Sequence, residues 1–115
     1  MTLLLKEFIP PKKVVQNARK GLELRKKFGR GGTHIGVARA EQISQETYLD
    51  PETIQRMVSY FARHEVDKRA KNFGNQENPS PGYIAWLLWG GDEGKKWAEH
   101  LKKTYIQEDR KKTKP

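Results

Sequence analysis

The chain has 115 residues and no cysteine, with 23 Lys/Arg against 14 Asp/Glu for a net charge of +9. That length fits one domain, and the lack of thiols excludes disulfide frameworks and thiolate metal sites and favours an intracellular setting. The opening MTLLLKEFIPP holds only a short leucine run, without the longer apolar region of a secretory leader, and no stretch is long enough to span a membrane.

The charge is unevenly spread. Residues 1–30 carry nine Lys/Arg and two Asp/Glu, residues 31–106 carry ten of each, and residues 107–115 carry four against two. A neutral body with basic ends favours an anionic partner such as nucleic acid, although charge of this kind also serves solubility alone.

Residues 1–10 form an N-terminal arm in which Leu3, Leu4, Leu5, Phe8 and Ile9 read either as a docking segment or as a short edge strand. Pro10-Pro11 closes it. Lys12 to Phe28 reads as an amphipathic helix, with Pro11 suited to its first turn and Gly29 to its C-terminal stop. At 100° per residue, Val14, Val15, Ala18, Gly21, Leu22 and Phe28 share one side. Lys12, Lys13, Arg19, Lys20, Lys26 and Lys27 share the other, where Glu23 is the only acid. This face reads either as solvated or as a surface that tracks phosphates. Arg25 projects into the apolar side, where it snorkels or pairs with a buried acid.

GRGGT, residues 29–33, joins this helix to the next, with Thr33 as N-cap. Glycines ahead of a helix start free backbone amides for an anion and Arg30 adds charge, but the spacing matches no phosphate-loop pattern, and Gly-rich connectors are common. His34 to Ser44 reads as a short helix with Ile35, Val37, Ala38 and Ile43 as its apolar members. Asp50 caps a third helix and Pro51 opens it, with Ile54, Met57, Val58, Phe61 and Ala62 as the buried stripe. These two helices read either as a helix-turn-helix, with Thr53, Gln55 and Arg56 near the start of a recognition helix, or as an ordinary αα-hairpin. The connector, Gln45 to Leu49, exceeds the roughly three to four residues usual in the former.

KNFGNQENPS, residues 71–80, is a polar loop of turn formers. Ser80 caps and Pro81 opens a plug helix over residues 82–89. From Tyr83 to Trp89 every side chain is apolar or aromatic, so no polar face can be drawn, and a helix apolar all round is a buried one. Gly90-Gly91 ends it, and Asp92 is placed as the cap of a last helix, Glu93 to about Ile106, in which Trp97, Leu101 and Tyr105 face the core. Residues 107–115 read as a disordered basic tail. The expected fold is all-α: one compact domain, residues 11–106, of about five helices around a short buried aromatic helix.

No catalytic constellation is evident. The three histidines, His34, His64 and His100, lack the short spacings of a zinc site, no serine lies in a nucleophile elbow, and no cofactor or metal is implied. His64 and Asp67, at i and i+3, are placed for one local contact. A pocket converging on His64, Asp67 and Asn78 is the arrangement that would revive an enzymatic reading; otherwise the protein reads as a non-enzyme.

Three stretches together, LELRKKFGRGGTHIGVARAEQIS (22–44), TIQRMVSYFARHEVDK (53–68) and NPSPGYIAWLLWGGDEGKKWAEH (78–100), resemble a small helical domain of bacteriophage and prophage proteins. The resemblance covers roughly residues 14–101. It implies a phage origin and, with it, the cytoplasm of an infected or lysogenic bacterial host or the virion. It carries over no activity and no functional residues. The expected function is therefore a small phage-encoded basic protein that binds nucleic acid, DNA ahead of RNA, mainly through phosphates. The residues expected to do so are Lys12, Lys13, Arg19, Lys20, Lys26, Lys27, Arg30 and Thr33. The alternatives are a virion or assembly interaction module that docks on a phage protein, and an inhibitor or adaptor of a host enzyme.

Overall fold

A computed structural model describes residues 6–106. The expected disordered tail and Leu3–Leu5 of the arm lie outside the described residues. Local signals start and stop most of the helices. α1, Lys12–Phe28, begins after Pro11, whose carbonyl accepts from the Val15 N–H at 3.1 Å, and stops at Gly29, left-handed at φ 64°, whose N–H returns to the Arg25 carbonyl. α2, His34–Ser44, is capped by the Thr33 hydroxyl, α3, Pro51–His64, by Asp50, and α4, Pro81–Leu88, by Ser80; proline takes the first turn of the last two. α3 runs on into a 3-10 helix, Glu65–Arg69. α5, Gly91–Leu101, continues as a π-helical turn over Lys102–Ile106. No strand occurs among the described residues.

The arm docks. Phe8 is buried, and its carbonyl accepts from the Leu49 N–H at 3.0 Å.

α4 is the hub of the packing. Its Trp86 and Leu88, with Trp89 just after, enter the main core beside Val14, Ala18, Ile43, Met57 and Phe61. Its Ile84 and Leu87 face the other way, into a smaller cluster with Leu24. The absence of a polar face thus reflects burial on two sides. α1 crosses α4 at Gly21, where an added Cβ would lie 2.7 Å from the Leu88 backbone nitrogen. Trp86 meets Phe61 edge-on at 4.8 Å, and Phe73 holds the 71–80 loop against the same indole at 6.1 Å.

Several expectations change in three dimensions. In α1, Asn17 and Leu24 are buried while Leu22 and Phe28 are only half-buried. Asn17 donates to the Gly90 carbonyl at 2.8 Å and to Glu93 at 2.7 Å, so the helix carries a buried polar anchor within its apolar side. Arg25 pairs with no acid among the described residues; it donates to the Gly31 carbonyl at 2.9 Å. In α2, Ile35 and Ala38 face solvent, because the face that meets α1 and α4 runs through Gly36, Arg39, Ala40 and Ile43. In α3, Ala62 is exposed and Tyr60 takes its place in the core.

Asp92 is not a cap. The α4–α5 turn is made by Gly90 and Gly91 at φ 115° and 69°, so α5 starts at Gly91, two residues before the start that Asp92 could cap. Its carboxylate instead accepts from Trp86 Nε1 at 2.9 Å and pairs with Lys68 at 3.0 Å.

Candidate functional site

α2 packs chiefly on α1 and α4, whereas α3 packs chiefly on α5. α2 and α3 are therefore not the closely packed pair of a helix-turn-helix. They splay, and a cleft of about 860 Å³ opens between them, closed below by the first turns of α4 and by Trp89. A volume of this order suits a small organic ligand.

The wall is built by residue spacing. On α3, Gln55, Ser59 and Arg63 recur every four residues, and Glu52, Arg56 and Tyr60 do the same one step round the helix. α2 contributes Ile35 and Arg39, again four apart. The aromatic groups form a column. Tyr60 lies between Trp89, at 4.5 Å and 5° from parallel, and the His64 ring, at 4.5 Å and 23°. The Arg39 guanidinium lies over Trp89, 5.2 Å from the ring centre.

Polar satisfaction in this column is incomplete. Arg39, 8% exposed, donates through one terminal nitrogen to Gln42, but its Nε has no acceptor among the described residues. Tyr60, 5% exposed, leaves its hydroxyl without a partner among the described residues. A fold ordinarily satisfies such groups, since an unpaired buried donor is costly. Burial raises the Tyr60 phenol above its usual range, with the Asp67 charge adding to it, so the hydroxyl stays protonated and able to donate. Burial also lowers Arg39, as does the like charge of Arg56 nearby, while Asp50 partly offsets both.

The acids of the cleft are occupied. Glu52 holds Arg56 at 2.7 Å, and Asp67 holds His64 Nδ1 at 3.1 Å. Arg39 and Arg63 form no salt bridge with the described residues, and the lining of the cleft holds three arginines, Arg39, Arg56 and Arg63, against two carboxylates, Glu52 and Asp67. The His64–Asp67 contact anticipated from spacing is present. Asn78, however, accepts from Arg30 at 2.7 Å and does not line the cleft.

The residues expected to contact phosphate separate into three groups. Lys12, Lys13, Lys20, Lys26 and Lys27 stand on the outward face of α1, with no ion pair to the described residues. Arg19 and Arg30 hold loops. Arg19 donates to the Ser44 carbonyl at 2.8 Å and to Glu46 at 3.2 Å. Arg30 donates to the Pro79 carbonyl and to Asn78. Thr33 lines the cleft, which no residue of α1 reaches. The glycines of GRGGT make room rather than a nest: a Cβ on Gly31 would lie 2.6 Å from Ile84, and one on Gly32 2.6 Å from Leu88.

The sequence places Tyr60 and Trp89 with the aromatic core, as side chains that would stack bases only if exposed, and gives Arg39 no role. A signal for Arg39 was present, because it falls three residues after Gly36 and four before Ile43, on the stripe that packs. A cation on a buried stripe needs a partner and is a reason to look.

Among the described residues, no group of three or more His, Asp or Glu side chains could hold a metal ion, and no helix is long and apolar enough to cross a membrane. No family model, no curated protein and no solved structure matches this chain.

Proposed function

We propose that this protein binds nucleic acid, DNA in preference to RNA, through phosphate contacts from the outward face of α1, as a phage-encoded protein acting in the bacterial cytoplasm. The observation that supports this reading is the set of five lysines, Lys12, Lys13, Lys20, Lys26 and Lys27. They share one face and form no salt bridge with the described residues. Unpaired ammonium groups along a helix attract a polyanion and displace its condensed counterions. Arg19 and Arg30 serve mainly to fix the connectors beside that face, because a phosphate would have to compete with Glu46 and Asn78 for them.

The test is affinity for duplex and single-stranded DNA as a function of salt. Reversing Lys20, Lys26 and Lys27 together to Glu should weaken binding to all sequences alike and flatten the slope of log affinity on log salt by about three units. No binding at low salt, or an unchanged slope in the triple variant, would refute the reading.

A second reading, an assembly module, has one supporting observation. Ile9 and Tyr48 are 41% and 44% exposed, and they flank the docked Phe8, whose ring lies 6.0 Å from that of Tyr48. An apolar pair on the surface is a place for a protein partner. Changing Ile9 to Ser and Tyr48 to Ala would abolish capsid-component copurification on this reading and leave DNA affinity unaltered.

A further inference from the structure

We infer that α1 binds duplex DNA by entering the major groove, with Gln16 and Glu23 facing the base edges and a row of cations turned to the phosphates on either side. The inference rests on the phosphate-binding reading of the same helix and adds to it a means of choosing sequence.

The arrangement follows from spacing. Lys12-Lys13, Arg19-Lys20 and Lys26-Lys27 are basic doublets that recur every seven residues. On a helix they stack at intervals of about 10.5 Å, with a drift of only about 20° from one to the next. Each doublet is split between two rows about 100° apart, one through Lys12 and Lys26, the other through Lys13, Lys20 and Lys27. Arg19 falls in the first row but is tied to Ser44 and Glu46. Gln16 and Glu23, also seven residues apart and both exposed, fall on the line midway between the rows. The buried side of α1 lies opposite, where the helix packs on α4, α2 and α5. The two rows and their midline are therefore one outward face.

Glu23 is out of place on a surface that only tracks phosphates, because it repels them. It forms no salt bridge with the described residues, although Arg19, Lys20, Lys26 and Lys27 stand three or four positions from it. On the midline its carboxylate is matched to a base edge instead, accepting from the amino group of cytosine, while Gln16 offers the donor and acceptor that adenine requires. The major groove is about 12 Å wide and admits a helix of about 10–12 Å diameter, which leaves a cation row beside each backbone. A single strand has one backbone to offer two rows, and the major groove of an A-form RNA duplex is too narrow for side chains to read. Charge and shape together select B-form DNA. At about 3.4 Å per base step, the distance from Gln16 to Glu23 along the helix spans about three steps.

The test is selection by the full chain from a random duplex library, followed by competition of the selected site against a scrambled duplex at fixed salt. The selected sites should carry an A·T pair about three steps from a G·C pair, each favoured about tenfold over its replacement. Gln16→Ala should lose the preference at the first pair alone, and Glu23→Ala at the second alone. Both positions are exposed, so both variants should melt as wild type does. Glu23→Ala should also bind the scrambled duplex at least as tightly as wild type, since a charge that repels phosphate has gone. 7-Deazaadenine at the selected A·T pair removes the N7 acceptor from the major groove. It should weaken wild type about fivefold and leave Gln16→Ala unchanged. Salt-dependent binding without sequence preference overturns the base readout and leaves the phosphate reading standing, whereas no binding at low salt overturns both. A preference that survives in both variants, or tighter binding to single-stranded DNA or to an RNA duplex, also overturns the base readout.

Discussion

Trp86 donates its indole N–H to Asp92 across the Gly90-Gly91 turn, at 2.9 Å. The bond fastens the buried helix α4 to the docked helix α5, and Lys68 closes the arrangement with its ammonium 3.0 Å from Asp92 and 4.7 Å over the indole. Truncating Trp86 to Ala removes a nearly fully buried aromatic, at a cost of roughly 3–5 kcal/mol. Trp86→Phe keeps most of the apolar volume and loses the hydrogen bond, so it should fall between that variant and wild type. Urea unfolding monitored by far-UV circular dichroism checks both, and a wild-type midpoint for Trp86→Ala would show that the helix is not core.

Gly21→Ala is expected to destabilise, although alanine normally strengthens a helix interior by about 0.5–1 kcal/mol over glycine. Its Cβ would lie 2.7 Å from the Leu88 backbone nitrogen and 3.0 Å from the Leu87 carbonyl carbon, and backbone cannot step aside as a side chain can. The cost should be about 1–3 kcal/mol. Gly29→Ala meets nothing within 4 Å and bears only the strain of a left-handed residue, about 1–2 kcal/mol. Thermal unfolding of the pair separates crowding from backbone strain.

Asn17→Ala should cost about 1–3 kcal/mol, because it removes the donor to the buried Gly90 carbonyl and to Glu93. Amide exchange should speed up at the α4–α5 turn more than in α3, since Asn17 is the α1 side chain that ties α1 to this turn by hydrogen bonds among the described residues.

Stability should fall in acid. The hydrogen bond from Asn17 holds Glu93 below its ordinary pKa. Burial opposes the charge of Asp92, but the hydrogen bonds from Lys68 and Trp86 outweigh it and leave this group lowered as well. A carboxyl with a depressed folded pKa stabilises the fold above its unfolded value and loses that contribution as pH drops through the folded one. The unfolding midpoint should therefore decline from about pH 4 downward, and Asp92→Asn should be less stable at neutral pH with a shallower acid limb. Lys68 runs the other way: its hydrogen bond to Asp92 raises it despite partial burial, so its contribution holds below about pH 10.5 and is lost above its folded pKa.

The helices were largely legible because their boundaries are local. Thr33, Asp50 and Ser80 each accept from the amide three residues on, and Gly29 returns to Arg25 four residues back. Such contacts are written in spacing. The burial of α4 was legible for a related reason, since a run from Tyr83 to Trp89 with no polar member has no face to give to water. The basic face of α1 follows from periodicity alone.

Which polar groups are spent inside the fold was decided by contacts between distant segments. Asn17 reaches Gly90 across 73 residues, Arg30 reaches Pro79 across 49, and Arg19 reaches Glu46 across 27. Asp92 has the spacing of a cap, yet the left-handed turn at Gly90-Gly91 points it back at Trp86. The cleft belongs wholly to this second class. It exists because α2 follows α1 and α4 while α3 follows α5, so Arg39 and Tyr60, 21 positions apart in the chain, line one space. Periodicity places a side chain on its own helix; only the packing of helices on one another determines what that side chain meets.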